Sequence, residues 1–144
     1  MKVKIVNHSN HPLPEYKTPG SVGMDLRAHL EEPITLGSLE RKLIPTGLYI
    51  ELPMGYEAQI RPRSGLSIKH GLSLINAIGT IDSDYRGELR IPMVNLSKDS
   101  YTIEDGERIA QLVLAKVELA QWVEVEELED TLRGEGGFGS TGHK

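Results

Sequence analysis

Asp82 and Tyr85 lie in a polar insert, Asp82-Ser83-Asp84-Tyr85-Arg86-Gly87, between Asn76-Ala77-Ile78-Gly79-Thr80-Ile81 and Glu88-Leu89-Arg90. Asp-Ser-Asp between apolar runs makes a β-hairpin turn held by local hydrogen bonds. The same residues suit a pocket wall. Asp82 directly follows Thr80-Ile81, a pair of buried type, and Tyr85 is bulky for a solvent turn. On that reading Asp82 is a general base and Tyr85 the floor under a sugar ring.

Three other segments carry polar groups of the same promise. In Arg61-Pro62-Arg63-Ser64-Gly65-Leu66, Ser64 reads as an N-cap that opens a short helical turn. The plain version is a cap with solvated arginines. The functional version adds Arg63 and the Ser64 hydroxyl to exposed N–H groups, which makes a cradle for phosphate. Gly20-Ser21-Val22-Gly23-Met24-Asp25-Leu26-Arg27-Ala28 sets Asp25 between apolar residues at a strand start. It is either a turn or salt-bridge partner, or a carboxylate holding water on a Mg²⁺ that arrives with a triphosphate. Gly106-Glu107-Arg108-Ile109-Ala110-Gln111 reads as a turn feeding a buried strand, with Gln111 as its inward polar group.

The tail is of a different kind. Phe138, the chain's single phenylalanine, has glycine on both sides in Arg133-Gly134-Glu135-Gly136-Gly137-Phe138-Gly139-Ser140-Thr141-Gly142. Such a stretch cannot bury a core of its own. An arm with one arginine, two hydroxyls, unhindered N–H groups and one flat ring can close over a ligand with an anionic and a planar end, as nucleotides have. The spacing Gly134 to Gly139 followed by Ser140-Thr141 approaches a Walker A loop, but the lysine is missing.

Composition narrows the classes. A chain of 144 residues with 38% hydrophobic and 26% charged residues is an ordinary one-domain globule by size and content. No apolar run approaches the ~20 residues of a membrane span. The net charge of −5, without a basic block, argues against a nucleic-acid partner. There is no cysteine, and the opening Met1-Lys2-Val3-Lys4-Ile5-Val6 lacks a signal peptide's apolar region, so a cytoplasmic location is expected. His8, His11, His29, His70 and His143 show no metal-site spacing, so a zinc centre is not expected.

Strand follows strand between these motifs, at residues 3–6, 24–30, 43–52, 57–60, 72–75, 89–96, 109–117 and 122–128, separated by Pro/Gly turns. No stretch holds a helical period over the ~11 residues of an average helix. The fold class is therefore all-β, a sandwich or jelly-roll-like β-barrel formed by residues 1–132, with residues 133–144 as a flexible Gly-rich lid. Strands this short leave edges that a closed homo-oligomer would cover.

Taken together, the five segments resemble the five motifs of the trimeric dUTP nucleotidohydrolases (dUTPases), in order from Gly20 to Gly142. As a set, Arg63-Ser64-Gly65, Gly79-Thr80-Ile81-Asp82-x-x-Tyr85-x-Gly87, Gly106-x-Arg108-x-Ala110-Gln111 and Arg133-Gly134-x-Gly136-Gly137-Phe138-Gly139 are highly specific. The first motif departs slightly, with Val22-Gly23-Met24-Asp25-Leu26 where the family often has Ala-Gly-x-Asp-Leu.

The resemblance implies a jelly-roll-like subunit in a homotrimer, with active sites at subunit interfaces closed by an exchanged C-terminal arm. It implies Mg²⁺-assisted hydrolysis of dUTP to dUMP and pyrophosphate, which keeps uracil out of DNA and supplies dUMP for thymidylate synthesis. Asp82 would be the general base for water attack on the α-phosphorus, and Asp25 would reach the metal through water. Tyr85 would pack against the deoxyribose. Asn76 and the hairpin backbone at Thr80 and Ile81 would read uracil. Arg63, Ser64, Gly65 and Gln111 would hold the phosphates, and Arg90 would belong to the substrate-binding set. Phe138 would stack on the base, while Arg133, Gly139, Ser140 and Thr141 engage the far end of the nucleotide. Two other readings remain. One is a dCTP deaminase or a bifunctional relative, which would carry a glutamate where this chain has Ile81-Asp82. The other is a non-catalytic nucleotide-binding regulatory trimer.

Overall fold

In a computed structural model, residues 1–137 of the chain are described. The order is β1 (Lys4–Asn7), β2 (Gly23–Arg27), β3 (Ile34–Leu36), β4 (Arg41–Pro45), β5 (Leu48–Glu51), β6 (Tyr56–Pro62), α1 (Ser64–His70), β7 (Leu72–Leu74), β8 (Gly79–Ile81), β9 (Arg90–Asn95), β10 (Tyr101–Ile103) and β11 (Arg108–Lys116). The main sheet runs β2-β11-β6-β8, and a second sheet runs β4-β9-β7. The ribbons β1-β5 and β10-β3 close the sides, and every pairing is antiparallel. The all-β, jelly-roll-like expectation describes this architecture. Among the described residues no helix is long and apolar enough to cross a membrane.

Alternation along the strands decides which side is core. Leu26, Ala58, Ile60, Ala110 and Leu112 turn inward from the main sheet. They join Ile44, Leu72, Leu74, Ile91 and Met93 from the second sheet in one cluster. Gly23, Asp25, Gln59, Arg61, Thr80 and Gln111 occupy the alternate positions, and these are the residues left for chemistry.

Four expectations need correction. The single strand predicted over 43–52 breaks into β4 and β5 at Thr46-Gly47. Gly47 adopts φ +69°, and a Cβ there would lie 2.8 Å from the Ser9 nitrogen. Thr46 is buried and seals the bend by donating to the Leu89 carbonyl at 2.6 Å. β3 and β10, each three residues long, were too short for a periodic signal; they pair around the Thr35–Thr102 hydroxyl contact of 2.8 Å. Residues 122–128 form no strand: they pair with no sheet among the described residues, and Trp122 is 92% exposed. Finally, Ser64 is not the N-cap. Arg63 takes that position with extended backbone, and no side chain caps the helix.

Candidate active site

The register of the main sheet sets Asp25 opposite Gln111, and Gln111 opposite Arg61. Asp25 and Gln111 therefore share the face turned away from the core, which corrects the expectation that Gln111 faces inward: on β11 the inward positions go to Ala110 and Leu112. A Cβ on Gly23 would fall 2.4 Å from the Gln111 side-chain oxygen, so only glycine lets that amide lie across β2. The Gln111 amide N–H donates to the Pro62 carbonyl at 2.9 Å.

Asp25 is gripped from both sides. Arg63 Nε donates to Oδ1 at 2.9 Å, and Arg108 Nη1 donates to Oδ2 at 3.1 Å. Arg63 also donates to the Arg108 carbonyl at 2.8 Å, which closes the triangle. Two guanidiniums against one carboxylate leave this corner net positive, and Arg27 and Lys17 stand beside it. The uncapped first turn of α1, at the exposed Ser64 and Gly65, has no acidic residue. A small polyanion is the ligand such a corner suits.

Each Asp25 oxygen keeps a further lone pair beyond its arginine. One carboxylate already engaged twice does not make an inner ligand set for Mg²⁺, but it fits an ion that retains its water shell. Arg108, which received no role from the sequence, proves to be half of this clamp. The signal was its place in the Gly106-x-Arg108-x-Ala110-Gln111 pattern.

The second group gathers at the opposite edge of the sheet. Between β7 and β8 the chain turns at Ala77 with φ +61°, and the Ala77 N–H donates to the Leu74 carbonyl at 3.0 Å. The Asn76 amide nitrogen lies 3.4 Å from where a Gly79 Cβ would stand. Thr80 is exposed on the outer face, and Ile81 packs against the core. Asp82 follows β8 and is exposed; its backbone carbonyl accepts the Tyr85 N–H at 3.2 Å. With Met54, Tyr56, Glu57, Asp84 and Leu119 it lines a cavity of about 480 Å³.

Tyr85 folds back over Gly87 and donates its hydroxyl to the Glu88 carbonyl at 3.0 Å. A Cβ on Gly87 would fall 2.2 Å from the Tyr85 hydroxyl oxygen and 2.5 Å from the ring, so only glycine allows this placement of Tyr85. Arg90 is held by Glu88 through a 2.7 Å ion pair. Burial pushes the Glu88 carboxyl up, but hydrogen bonds from Arg90 and the Gly47 N–H outweigh it and leave the group below its ordinary value.

The fold thus assembles two half-sites and keeps them apart. Asp25 is level with Arg61 on β6, whereas Ile81 is level with Ala58, and β11 and β6 lie between β2 and β8. At about 4.8 Å per strand and 3.3 Å per residue, the Asp25 and Asp82 backbones are on the order of 19 Å apart. Arg133 stands outside both groups, with its Nε bonded to the Gly136 carbonyl at 2.8 Å. Phe138, Gly139, Ser140 and Thr141 lie outside the described residues.

The family model for dUTPase matches residues 9–142. The chain belongs to the dUTPase family. A deoxyuridine 5'-triphosphate nucleotidohydrolase of Finegoldia magna is 65% identical, covering 99% of this chain and all of the relative. One from Cytophaga hutchinsonii is 61% identical, covering 97% of this chain and 91% of the relative. Among solved structures, the dUTPase of Staphylococcus bacteriophage 80alpha with dUpNHpp superposes at TM-score 0.88, with 30% identity and 98% of both chains covered. A dUTPase from phage phi11 of S. aureus, described with a structural Mg(II) ion, gives TM-score 0.81 at 25% identity, covering 90% of this chain and 100% of that one.

Proposed function

We propose that this member of the dUTPase family hydrolyses dUTP to dUMP and pyrophosphate, in active sites that two or more copies of the chain complete together. The observation that carries this reading is the separation of the half-sites. A deoxynucleoside group at Asn76–Tyr85 and a net-positive corner at Asp25, Arg63, Ser64, Gly65, Arg108 and Gln111 cannot grip one nucleotide from a single chain. A neighbouring copy that presents its positive corner to this chain's Asp82 brings them together. A homotrimer closes such a head-to-tail contact with no surface left over.

The exposed Leu119, Trp122, Val123, Val125 and Leu128, which find no partner face among the described residues of one chain, suit an arm laid on a neighbour. We place the base and sugar along the hairpin from Asn76 to Tyr85, beside the Asp82 cavity. Asn76 and the amides at Thr80 and Ile81 read the compact acceptor-donor-acceptor edge of uracil. Tyr85, pinned over Gly87, leaves no room beside the sugar for a 2′-hydroxyl. Asp82 orients a water in line with the α-phosphorus and accepts its proton as the P–O bond to pyrophosphate breaks. Arg63, Gln111 and the first-turn amides of α1 neutralise the charge that gathers on the leaving pyrophosphate.

Mg²⁺ arriving with the triphosphate would supply further charge neutralisation, and Asp25 would hold it through water. Arg90 belongs with the substrate-binding residues through its Glu88 partner. The arm's Arg133, Phe138, Gly139, Ser140 and Thr141 would cover the nucleotide, with the ring on uracil. The proposed location is the cytoplasm, since a chain without cysteine gives no sign of an oxidising compartment.

Pyrophosphate release measured across dUTP, dCTP, dTTP and UTP, with and without Mg²⁺, tests the reading. Turnover should be confined to dUTP and faster with the ion. Ammonia release from dCTP would overturn it in favour of a deaminase, and binding without turnover would favour a regulatory trimer. Tyr85→Ala should narrow the dUTP-over-UTP ratio of kcat/KM by about 10-fold or more, since the ring that crowds the 2′ position is gone. An unaltered ratio would place sugar discrimination elsewhere.

A further inference from the structure

Among the described residues one set of histidine, aspartate and glutamate side chains converges closely enough to share an ion. It is His11, His29 and Asp105, with one ligand atom from each lying within 4.8 Å of the others. The histidines are partly buried and Asp105 is exposed, so solvent reaches the group. We propose that these three side chains form a transition-metal site, best suited to Zn²⁺, separate from the nucleotide site and from Mg²⁺.

Each ligand is braced by its own segment. His11 follows β1, and its backbone is locked: its carbonyl accepts the Asn7 amide at 2.9 Å and its N–H donates to the Ser9 hydroxyl at 3.2 Å. Its ring lies on Gly106, where a Cβ would come within 3.0 Å of Cε1. His29 leaves the end of β2 with its N–H on the Pro45 carbonyl at 2.9 Å, and its ring fills the space a side chain at Gly47 would need. Asp105 sits in the turn before β11. Its Oδ1 accepts the Leu30 N–H at 2.9 Å and faces His11 Nε2 at 2.9 Å. A backbone donor that orients a carboxylate is the usual outer support of a metal ligand.

The spacing is close to what a tetrahedral ion requires. Zn–N and Zn–O bonds of about 2.0–2.2 Å set neighbouring ligand atoms roughly 3.3 Å apart. The His11–Asp105 pair must open by a few tenths of an ångström, and His29 must close the rest by side-chain rotation. Two imidazoles with one carboxylate match Zn²⁺, whereas Mg²⁺ prefers oxygen ligands and retains water. Three protein ligands leave a fourth position for water. The ion would tie together segments at residues 11, 29 and 105, the last three residues before Arg108 of the Asp25 clamp. Local spacing along the sequence gave no hint of this, since the ligands come from three separate turns.

Zn²⁺ titrated calorimetrically into chelator-treated, nucleotide-free, full-length protein should bind at one ion per chain. It should also raise the melting temperature by roughly 5–10 °C when present about a hundredfold above Kd. Co²⁺ should give the intense visible bands of a four-coordinate ion. His29→Asn should weaken binding by at least ~10-fold and abolish those bands, because it removes a ligand that has no other side-chain hydrogen bond here. His8→Asn should change neither, since the His8 ring packs at a tilt against Tyr49 instead. Should the asparagine variant melt lower without metal, His29→Gln carries the same expectation. No binding at roughly 100 μM Zn²⁺, well above what a built site needs, overturns the proposal. So does equal affinity in the His29 variants, or equal loss in His8→Asn. Neither nucleotide nor Mg²⁺ is present, so these outcomes are independent of dUTP hydrolysis.

Discussion

Asp82→Asn is expected to lower kcat for dUTP by ~10²-fold or more, with KM held within about threefold. The expectation is sharp because the substitution costs the fold so little. Among the described residues the Asp82 carboxylate accepts no hydrogen bond and the side chain is exposed; only its backbone carbonyl is used, by the Tyr85 N–H. Asparagine has the same shape and keeps one oxygen that can still hold a water. It loses the charge and the capacity to take a proton. A hundredfold drop corresponds to about 2.7 kcal/mol of transition-state stabilisation, the scale of a general base. Asp84 lines the same cavity and is the natural control. Asp84→Asn should stay within about threefold of wild type, since its loss leaves the proposed base in place. Near-normal kcat in Asp82→Asn, or a comparable loss in Asp84→Asn, would remove Asp82 from its role. Single-turnover and steady-state rates together separate chemistry from product release.

The sequence carried the fold where burial has a period and failed where it does not. Leu26, Ile60, Ile91 and Leu112 recur at strand spacing and mark four strands correctly. Thr46-Gly47 interrupts an apolar run of the same quality. What bends the chain there is a backbone angle at Gly47 and a hydroxyl reaching Leu89, and hydrophobicity reports neither. Val123 and Val125 alternate with Glu124 and Glu126, yet a strand needs a partner to pair with, and residues 122–128 pair with no strand among the described residues.

The site shows the same division. Asp25, Arg63, Asp82, Tyr85 and Gln111 were identifiable as chemical groups because each sits in a distinctive local pattern. Their distances were not legible. That Arg63 and Arg108 close on the two oxygens of Asp25 depends on β11 pairing with β2 on one side and with the end of β6 on the other. That Asp82 lies at the far edge depends on β8 joining β6. The convergence of His11, His29 and Asp105 is set by three turns and no motif.

The electrostatics add a point that composition hides. The chain carries a net charge of −5, yet its Asp25 corner is net positive, with Arg63, Arg108, Arg27 and Lys17 against Asp25 and Glu15. A bulk negative charge discourages binding to nucleic-acid polyanions, while a local positive field within about a Debye length still draws a small triphosphate. Acid residues crowd the other half-site instead: Glu57, Asp82 and Asp84 line its cavity. In the proposed arrangement, a nucleotide bridging the two would set its phosphates on the cationic side and its neutral base and sugar on the acidic one, a polarity that would favour one orientation of the substrate.

Deleting residues 133–144 is expected to reduce kcat/KM for dUTP by ~10²-fold or more while leaving the oligomer and its melting temperature nearly unchanged. Among the described residues the core ends with β11: none after Val113 is buried, and Leu114 is the last to pack against the apolar cluster. Residues 133–137 bury no side chain, and both hydrogen bonds of Arg133 among the described residues are to Gly136 within its own turn. Removing them therefore costs the described fold no buried apolar area and no long-range contact. The catalytic cost is separate. Without the proposed arm the nucleotide lies open to solvent on one face, and every ionic contact at the Asp25 corner weakens as water enters. A ring stacked on the base and an arginine on the terminal phosphate are together worth a few kcal/mol, enough for the expected drop. Phe138→Ala in the intact chain should reproduce part of the effect, about 10-fold, because it removes the stack and keeps the arginine. Sizing by light scattering and a thermal melt report the assembly, and pyrophosphate release reports the chemistry. A truncated chain that elutes as a monomer would mean that the tail holds the trimer together. One that turns over dUTP at the full rate would mean that the pocket closes without it.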